Sequence, residues 1–247
     1  MNLLSKASKA VSSWRYLIAV IVSATFKLVY KLESLRDEMK RTLPFLLGAL
    51  PPIVFIVIFT IDGILQKDYN AISMHISALS IGSDGWIQIV NFLILGSFLF
   101  VFSLRILSEN TKERKSNTGP IILLISSICF LFSGPFVMDP MGTLRENMTI
   151  HGIIHGILGG IVFILMPVTC FVFYNSFNNE KKWIHFRKWT LIAGILISIT
   201  LGLFILVTKI EYLNQVFINY LGLMQRAVIV PYLIWLFTFG LKKTTNR

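Results

Sequence analysis

Six stretches of the chain are predominantly apolar, and most charged residues collect between them. The stretches are 43–62, 86–107, 119–138, 150–174, 189–208 and 222–241. A helix needs about 20 mostly apolar residues to cross the hydrocarbon core of a bilayer. Barrel strands are about half that length and alternate in polarity, and these runs are continuous. The pattern predicts an all-α polytopic transmembrane helix bundle of six spans. Pro51, Pro52, Pro135, Pro167 and Pro231 fall inside the runs, where each bends its helix and frees a carbonyl that neighbours must satisfy.

The polar connections give an orientation. Nineteen of the 23 Lys and Arg residues lie in residues 1–42, the second–third connection, the fourth–fifth connection and the tail. Basic residues are retained on the cytoplasmic side, so both termini are expected there. Residues 14–30, WRYLIAVIVSATFKLVY, contain an uncharged run too short to span. They are read as an N-terminal interfacial amphipathic helix, with Arg15, Lys27 and Lys31 toward anionic headgroups. The expected organisation is a basic extension over 1–42, a six-helix transmembrane domain over 43–241 and a cytoplasmic tail over 242–247.

Composition agrees. Of 247 residues, 55% are hydrophobic and 14% charged, where soluble domains carry about 25% charged residues. The net charge of +11 follows from the basic loops. No phosphate-binding glycine loop or zinc-finger spacing accompanies it, so nucleic acid is not an expected partner and the lipid bilayer is. Cys129 and Cys170 sit in different runs at different depths, which argues against a disulfide.

Candidate chemistry gathers at the outer ends of the runs. The first outer loop, 63–85, is partly apolar, is expected to pack on the helix ends, and holds His75 and Ser77. The third run ends in Gly134-Pro135-Phe136-Val137-Met138-Asp139-Pro140, and the fourth opens with His151-Gly152-Ile153-Ile154-His155. Histidines four apart share a helix face, a spacing that serves one metal ion. His151 and His155 are therefore candidate metal ligands, with Asp139 or His75 completing the set. The favoured reading of the pair is as interfacial hydrogen-bonding residues beside a helix end. Gly152, Gly156 and Gly160, with Gly159 beside them, form a small-residue ladder expected to pack closely on a neighbouring helix. Arg226 lies inside the sixth run beside Gln225, and an arginine there needs a partner. Asp139, Asp62 and Glu211 are the carboxylates on its side. Arg226 and Gln225 are candidate ligand-binding residues, as a clamp for a phosphate or carboxylate headgroup, or else Arg226 forms a structural ion pair.

Taken together, Ile76-Ser77-Ala78-Leu79, Phe136-to-Pro140, His151-to-His155 and Gly222-to-Arg226 resemble the membrane family known as domain of unknown function 998. The resemblance covers about residues 43–241 and implies a six-helix bacterial or archaeal membrane protein, hence multi-pass residence in a prokaryotic cytoplasmic (inner) membrane. It implies no activity. A looser similarity is to ceramidase and adiponectin-receptor-like membrane hydrolases, which hold zinc with Ser, Asp and three His. His75, Ser77, Asp139, His151 and His155 reproduce those residue types, though motif order and span number differ. That similarity implies zinc-activated hydrolysis of a lipid, with Asp139, His151, His155 and Ser77 as the catalytic set.

Two functional classes follow: a metal-dependent membrane hydrolase acting on a lipid, and a non-enzymatic lipid-binding, transport-related or accessory membrane protein.

Overall fold

In lipid a backbone must satisfy its own hydrogen bonds, and the helix does so within one segment. The computed structural model of the protein describes Lys31, Leu43, Leu46 and residues 48–113, 115–177 and 181–245. The expected interfacial helix over 14–30 lies outside the described residues. The described residues are helical, with no strand among them. The helices are α1 (Gly48–Leu65), α2 (Trp86–Lys112), α3 (Thr118–Ser133), α4 (Ile150–Ser176), α5 (Ile184–Lys209), the short α6 (Glu211–Phe217) and α7 (Leu221–Thr245). Five helical segments are long and apolar enough to cross a membrane: α1, α2, α4, α5 with the turn before it, and α6 running into α7. Buried hydroxyls inside them fold back onto the preceding turn, as Ser103 does to Leu99 O at 2.6 Å and Thr169 to Leu165 O at 2.6 Å. No water is needed there.

The third element is shorter than its apolar run. α3 stops at Ser133, and residues 134–138 are turn and extended chain. Pro135 has no amide hydrogen to continue the ladder. Apolarity marks burial, not conformation, so residues 136–138 remain apolar outside the helix. At the other boundary α5 begins at Ile184, earlier than the apolar run, because Arg187 finds a place on Tyr174. Its guanidinium lies 4.0 Å from that ring centroid, and Nε donates to Tyr174 O at 3.2 Å.

Consecutive helices pack side by side, α2 on α3, α3 on α4, α4 on α5 and α5 on α7. α1 joins α2 through Asn91, whose Nδ2 donates to Phe55 O at 3.1 Å. It also meets α7 where Gly240 lies against Ala49, leaving no room for a Cβ. Gly96 likewise admits the backbone of Leu131, bringing α2 and α3 together.

Two ends of the bundle are distinct. At the basic end Phe173, Phe177, Trp183, Phe186, Trp235 and Phe239 form one aromatic cluster, with Phe177 and Trp183 stacked at 4.6 Å. Two indole–hydroxyl bonds stitch α5 to α7: Trp235 Nε1 to Thr190 Oγ1 and Trp189 Nε1 to Thr238 Oγ1, both 3.0 Å. Lys243 pairs with Glu109 of α2 at 3.4 Å. The opposite, loop-bearing end carries the connections 66–85, 134–149 and 210–220, and the candidate site lies there. Cys129 and Cys170 are both free and buried.

Candidate functional site

The loop after α1 is shaped by its own polar residues and then held by α7. Asn70 Oδ1 accepts from Ile72 N at 2.9 Å, an Asx turn. Arg226 Nη1 donates to Ala71 O at 2.7 Å, Met74 O at 3.1 Å and Gly222 O at 3.0 Å, and Nη2 donates to the Tyr69 hydroxyl. Tyr69 in turn donates toward the carbonyls of Met74 and His75. Burial pushes the Tyr69 phenol above its ordinary range despite the pull of Arg226, so it stays protonated and able to donate. Gln225 Oε1 accepts from Ile76 N at 2.7 Å, and Leu223 N donates to Ile72 O at 2.8 Å. A Cβ at Gly222 would strike the carbonyls of Ala71 and Met74. The stretch from Gly222 to Arg226 therefore grips the 70–76 loop. The expected carboxylate partner of Arg226 is not the one used: main-chain carbonyls and Tyr69 take its donors. Arg226 thus holds the 70–76 loop instead of pairing with Asp62, Asp139 or Glu211.

The start of α4 is built by Asp139. Thr149 is the N-cap, and its Oγ1 accepts from Gly152 N at 3.0 Å. The Asp139 carboxylate accepts from Thr149 N at 2.9 Å through Oδ2 and from Thr149 Oγ1 at 2.7 Å through Oδ1. A carboxylate beside a helix N-terminus is also favoured by the helix dipole. Gly152 lies directly beneath it, where a Cβ would collide with the carboxylate.

One turn further, His155 is 8% exposed. Its Nδ1 lies 2.7 Å from Phe136 O, and its ring meets Phe92 edge-on at 6.1 Å. His151 is exposed and rests on the ring of Phe136 at 5.4 Å. His75 lies across the end of the bundle from them, against Phe204 at 5.8 Å, and its Nε2 is buried without a hydrogen-bond partner. Burial first, then the nearby Arg226 charge and His155, hold the His75 imidazole below its ordinary range.

The candidate metal set is accordingly not assembled. Among the described residues no three His, Cys, Asp or Glu side chains gather to hold a metal ion. Asp139 holds Thr149, His155 Nδ1 lies against Phe136 O and the exposed His151 is tilted against the Phe136 ring, while His75 comes from a different loop.

What the structure does bring together is a cleft of about 740 Å³ at the loop-bearing end. His75, Ser77, Asp139, His155 and Gln225 all line it; His151 and Arg226 do not. Its other polar groups among the described residues are Ser73, Thr143, Thr208, Asn214 and Asn219, and no described Lys or Arg lines it. Met74, Met138, Met141 and Met148 give it a deformable apolar rim. The glycine ladder forms one wall. A Cβ at Gly156, Gly159 or Gly160 would meet nothing within 4 Å. These glycines do not pack on a helix, contrary to the expectation, because α4 and α5 stand apart above the Phe163–Phe204 contact at 5.9 Å. A smaller void of about 30 Å³ adjoins the cleft and shares Ser77, His155, Gly159, Phe163 and Gln225 with it.

Apolar helices of this length around a cleft lined by polar groups and glycine define a helical multi-pass membrane protein. The chain belongs to the family described as "Protein of unknown function (DUF998)", whose model matches residues 49–242. No curated protein and no solved structure matches it.

Proposed function

We propose that this protein binds an uncharged amphiphile of the bilayer in the cleft between α4 and α5. The observation that carries this reading is the open glycine wall. Gly156 and Gly160 are solvent-exposed and continue into Ile157 and Ile161, 58% and 38% exposed on the flank of α4. A chain lying on that face reaches surrounding lipid without crossing a polar barrier. The absence of any described Lys or Arg from the cleft lining supports an uncharged head, since an anion there would lack a cationic partner. The hydrolase reading loses its ligand set, which favours binding over catalysis.

In this reading α3 is the sixth span, both termini are cytoplasmic, and the cleft faces outward from a prokaryotic cytoplasmic membrane. The basic end with Lys112, Lys115, Lys181, Lys182, Arg187 and Lys242 supports that orientation. Cysteines introduced at Asp68 and at Lys182 test it: an impermeant maleimide added to intact cells should label the first and not the second.

The binding reading is tested by lipid analysis of purified protein. Wild type should carry an amphiphile over and above the bulk lipid, and Gly160→Leu should carry less than a tenth as much. Equal content in the two proteins would overturn it.

A further inference from the structure

Ser77, His155 and Gln225 stand where the cleft and the small void meet, so they form its floor. Their hydrogen-bond roles are set by what lies behind them. The Phe136 carbonyl only accepts, so the His155 Nδ1 that contacts it carries the hydrogen. In the neutral ring that leaves Nε2 as an acceptor. The Ile76 amide only donates, so the Gln225 atom that contacts it is the oxygen. That leaves the Gln225 NH₂ as a donor. The Ser77 hydroxyl completes the floor, and His75, whose Nε2 is buried without a partner, lines the same cleft.

We infer that this floor is a hydroxyl subsite: a ligand alcohol donates to His155 Nε2 and accepts from the Gln225 amide, while its chain runs along the Gly156–Gly160 face. Only a group that both donates and accepts satisfies the two residues at once. An ether or ester oxygen accepts only and leaves His155 unpaired. A carboxylate or a fully ionised phosphate also accepts only, and brings a charge that no described Lys or Arg of the lining would pair. An unpaired polar group in a dry site is costly, and sites built around a substrate hydroxyl discriminate strongly against analogues that lack it. This inference rests on the amphiphile-binding reading and names the ligand class within it.

The test uses full-length protein in lipid nanodiscs with four radiolabelled probes of one chain length: hexadecanol, hexadecyl methyl ether, hexadecanoic acid and hexadecyl phosphate. Wild type should bind the alcohol at least about tenfold more tightly than the ether, with the two anions weaker than the alcohol. His155→Asn keeps a donor toward Phe136 O and removes Nε2. Gln225→Glu keeps an acceptor for the Ile76 amide and removes the donor. His155→Asn should bring alcohol binding down to the level of the ether and leave ether binding unchanged, whereas Gln225→Glu should weaken both probes, since both accept from that amide. Equal binding of alcohol and ether by wild type, a measurement that needs no variant, would overturn the hydroxyl subsite and leave the amphiphile reading standing. So would a His155→Asn protein that loses both probes equally while folded by circular dichroism. Failure of all four probes to bind wild type would overturn the amphiphile reading itself.

Discussion

The carboxylate of Asp139 holds Thr149 through both of its oxygens, at 2.9 and 2.7 Å, and so fixes where α4 begins. Losing an N-cap interaction of this kind costs about 1–2 kcal/mol. Asp139→Ala is expected to lower the melting temperature by about 2–8 °C, taking roughly 2–4 °C per kcal/mol for a chain of this size. Thermal unfolding in detergent measures it. An unchanged midpoint would show that Asp139 contributes nothing to the helix start.

Two glycines of the same ladder on α4 should respond in opposite directions. At Gly152 an added Cβ meets the Asp139 carboxylate, so Gly152→Ala should destabilise by about 1–3 kcal/mol. At Gly160 nothing stands within 4 Å. Gly160→Ala should therefore show the ordinary helix preference for alanine, a gain of up to about 1 kcal/mol. The same unfolding assay reads both, and a loss at Gly160 would mean that the wall of the cleft is closed.

Arg226 acts through geometry as well as charge. Arg226→Lys keeps the charge and loses the fork that reaches Ala71 O, Met74 O and Tyr69 together. A loss of about 1.5–3 kcal/mol is expected. Hydrogen exchange should show weaker protection of the Ile76 and Leu223 amides, whose acceptors are Gln225 and Ile72. Combining the variant with Tyr69→Phe should add less than the sum of the single changes, because the two residues share one bond.

His75 gives the protein a pH dependence of definite sign. Its folded-state pKa lies below the ordinary value of about 6.5. The unfolded chain therefore binds the proton first as pH falls. The stability tied to neutral His75 is complete above pH about 6.5. It declines below that value and levels off once the folded protein is itself protonated at His75. His75→Phe keeps a ring against Phe204 and should flatten the part of the acid slope that wild type owes to this residue. Denaturation midpoints between pH 7.5 and 5 measure the difference, and parallel slopes would exclude His75 as its source.

Much of the architecture is written in the sequence because lipid makes length and apolarity almost sufficient. The five long helices coincide with five of the apolar runs, and α3 departs from its run only where Gly134-Pro135 intervenes. Topology places His75, Asp139, His151 and His155 at one end of the bundle, but does not say which of them line the cleft: His75, Asp139 and His155 do, and His151 does not. The partners were not legible either. A carboxylate has a letter in the sequence and a main-chain carbonyl has none, so Arg226 pointed to Asp62, Asp139 or Glu211 and found Ala71 and Met74. Thr149 could have been read as the N-cap from its place before α4, but not as the holder of Asp139. The glycine ladder says that two surfaces come near without saying whether the second is a helix or an opening.

The grip of α7 on the 70–76 loop also sets an order of events during synthesis. Ala71 and Arg226 are 155 positions apart, and Ile76 and Gln225 are 149 apart. At about 5–20 residues per second, roughly 8–30 s of translation separate the appearance of the loop from that of the residues that hold it. Through that interval the earlier helices are made while the carbonyls of Ala71 and Met74 lack their donor and Ile76 N lacks its acceptor. The cleft is thus completed only late in synthesis, and a nascent chain stopped before Gly222 should insert most of its helices yet leave residues near Lys67 open to protease.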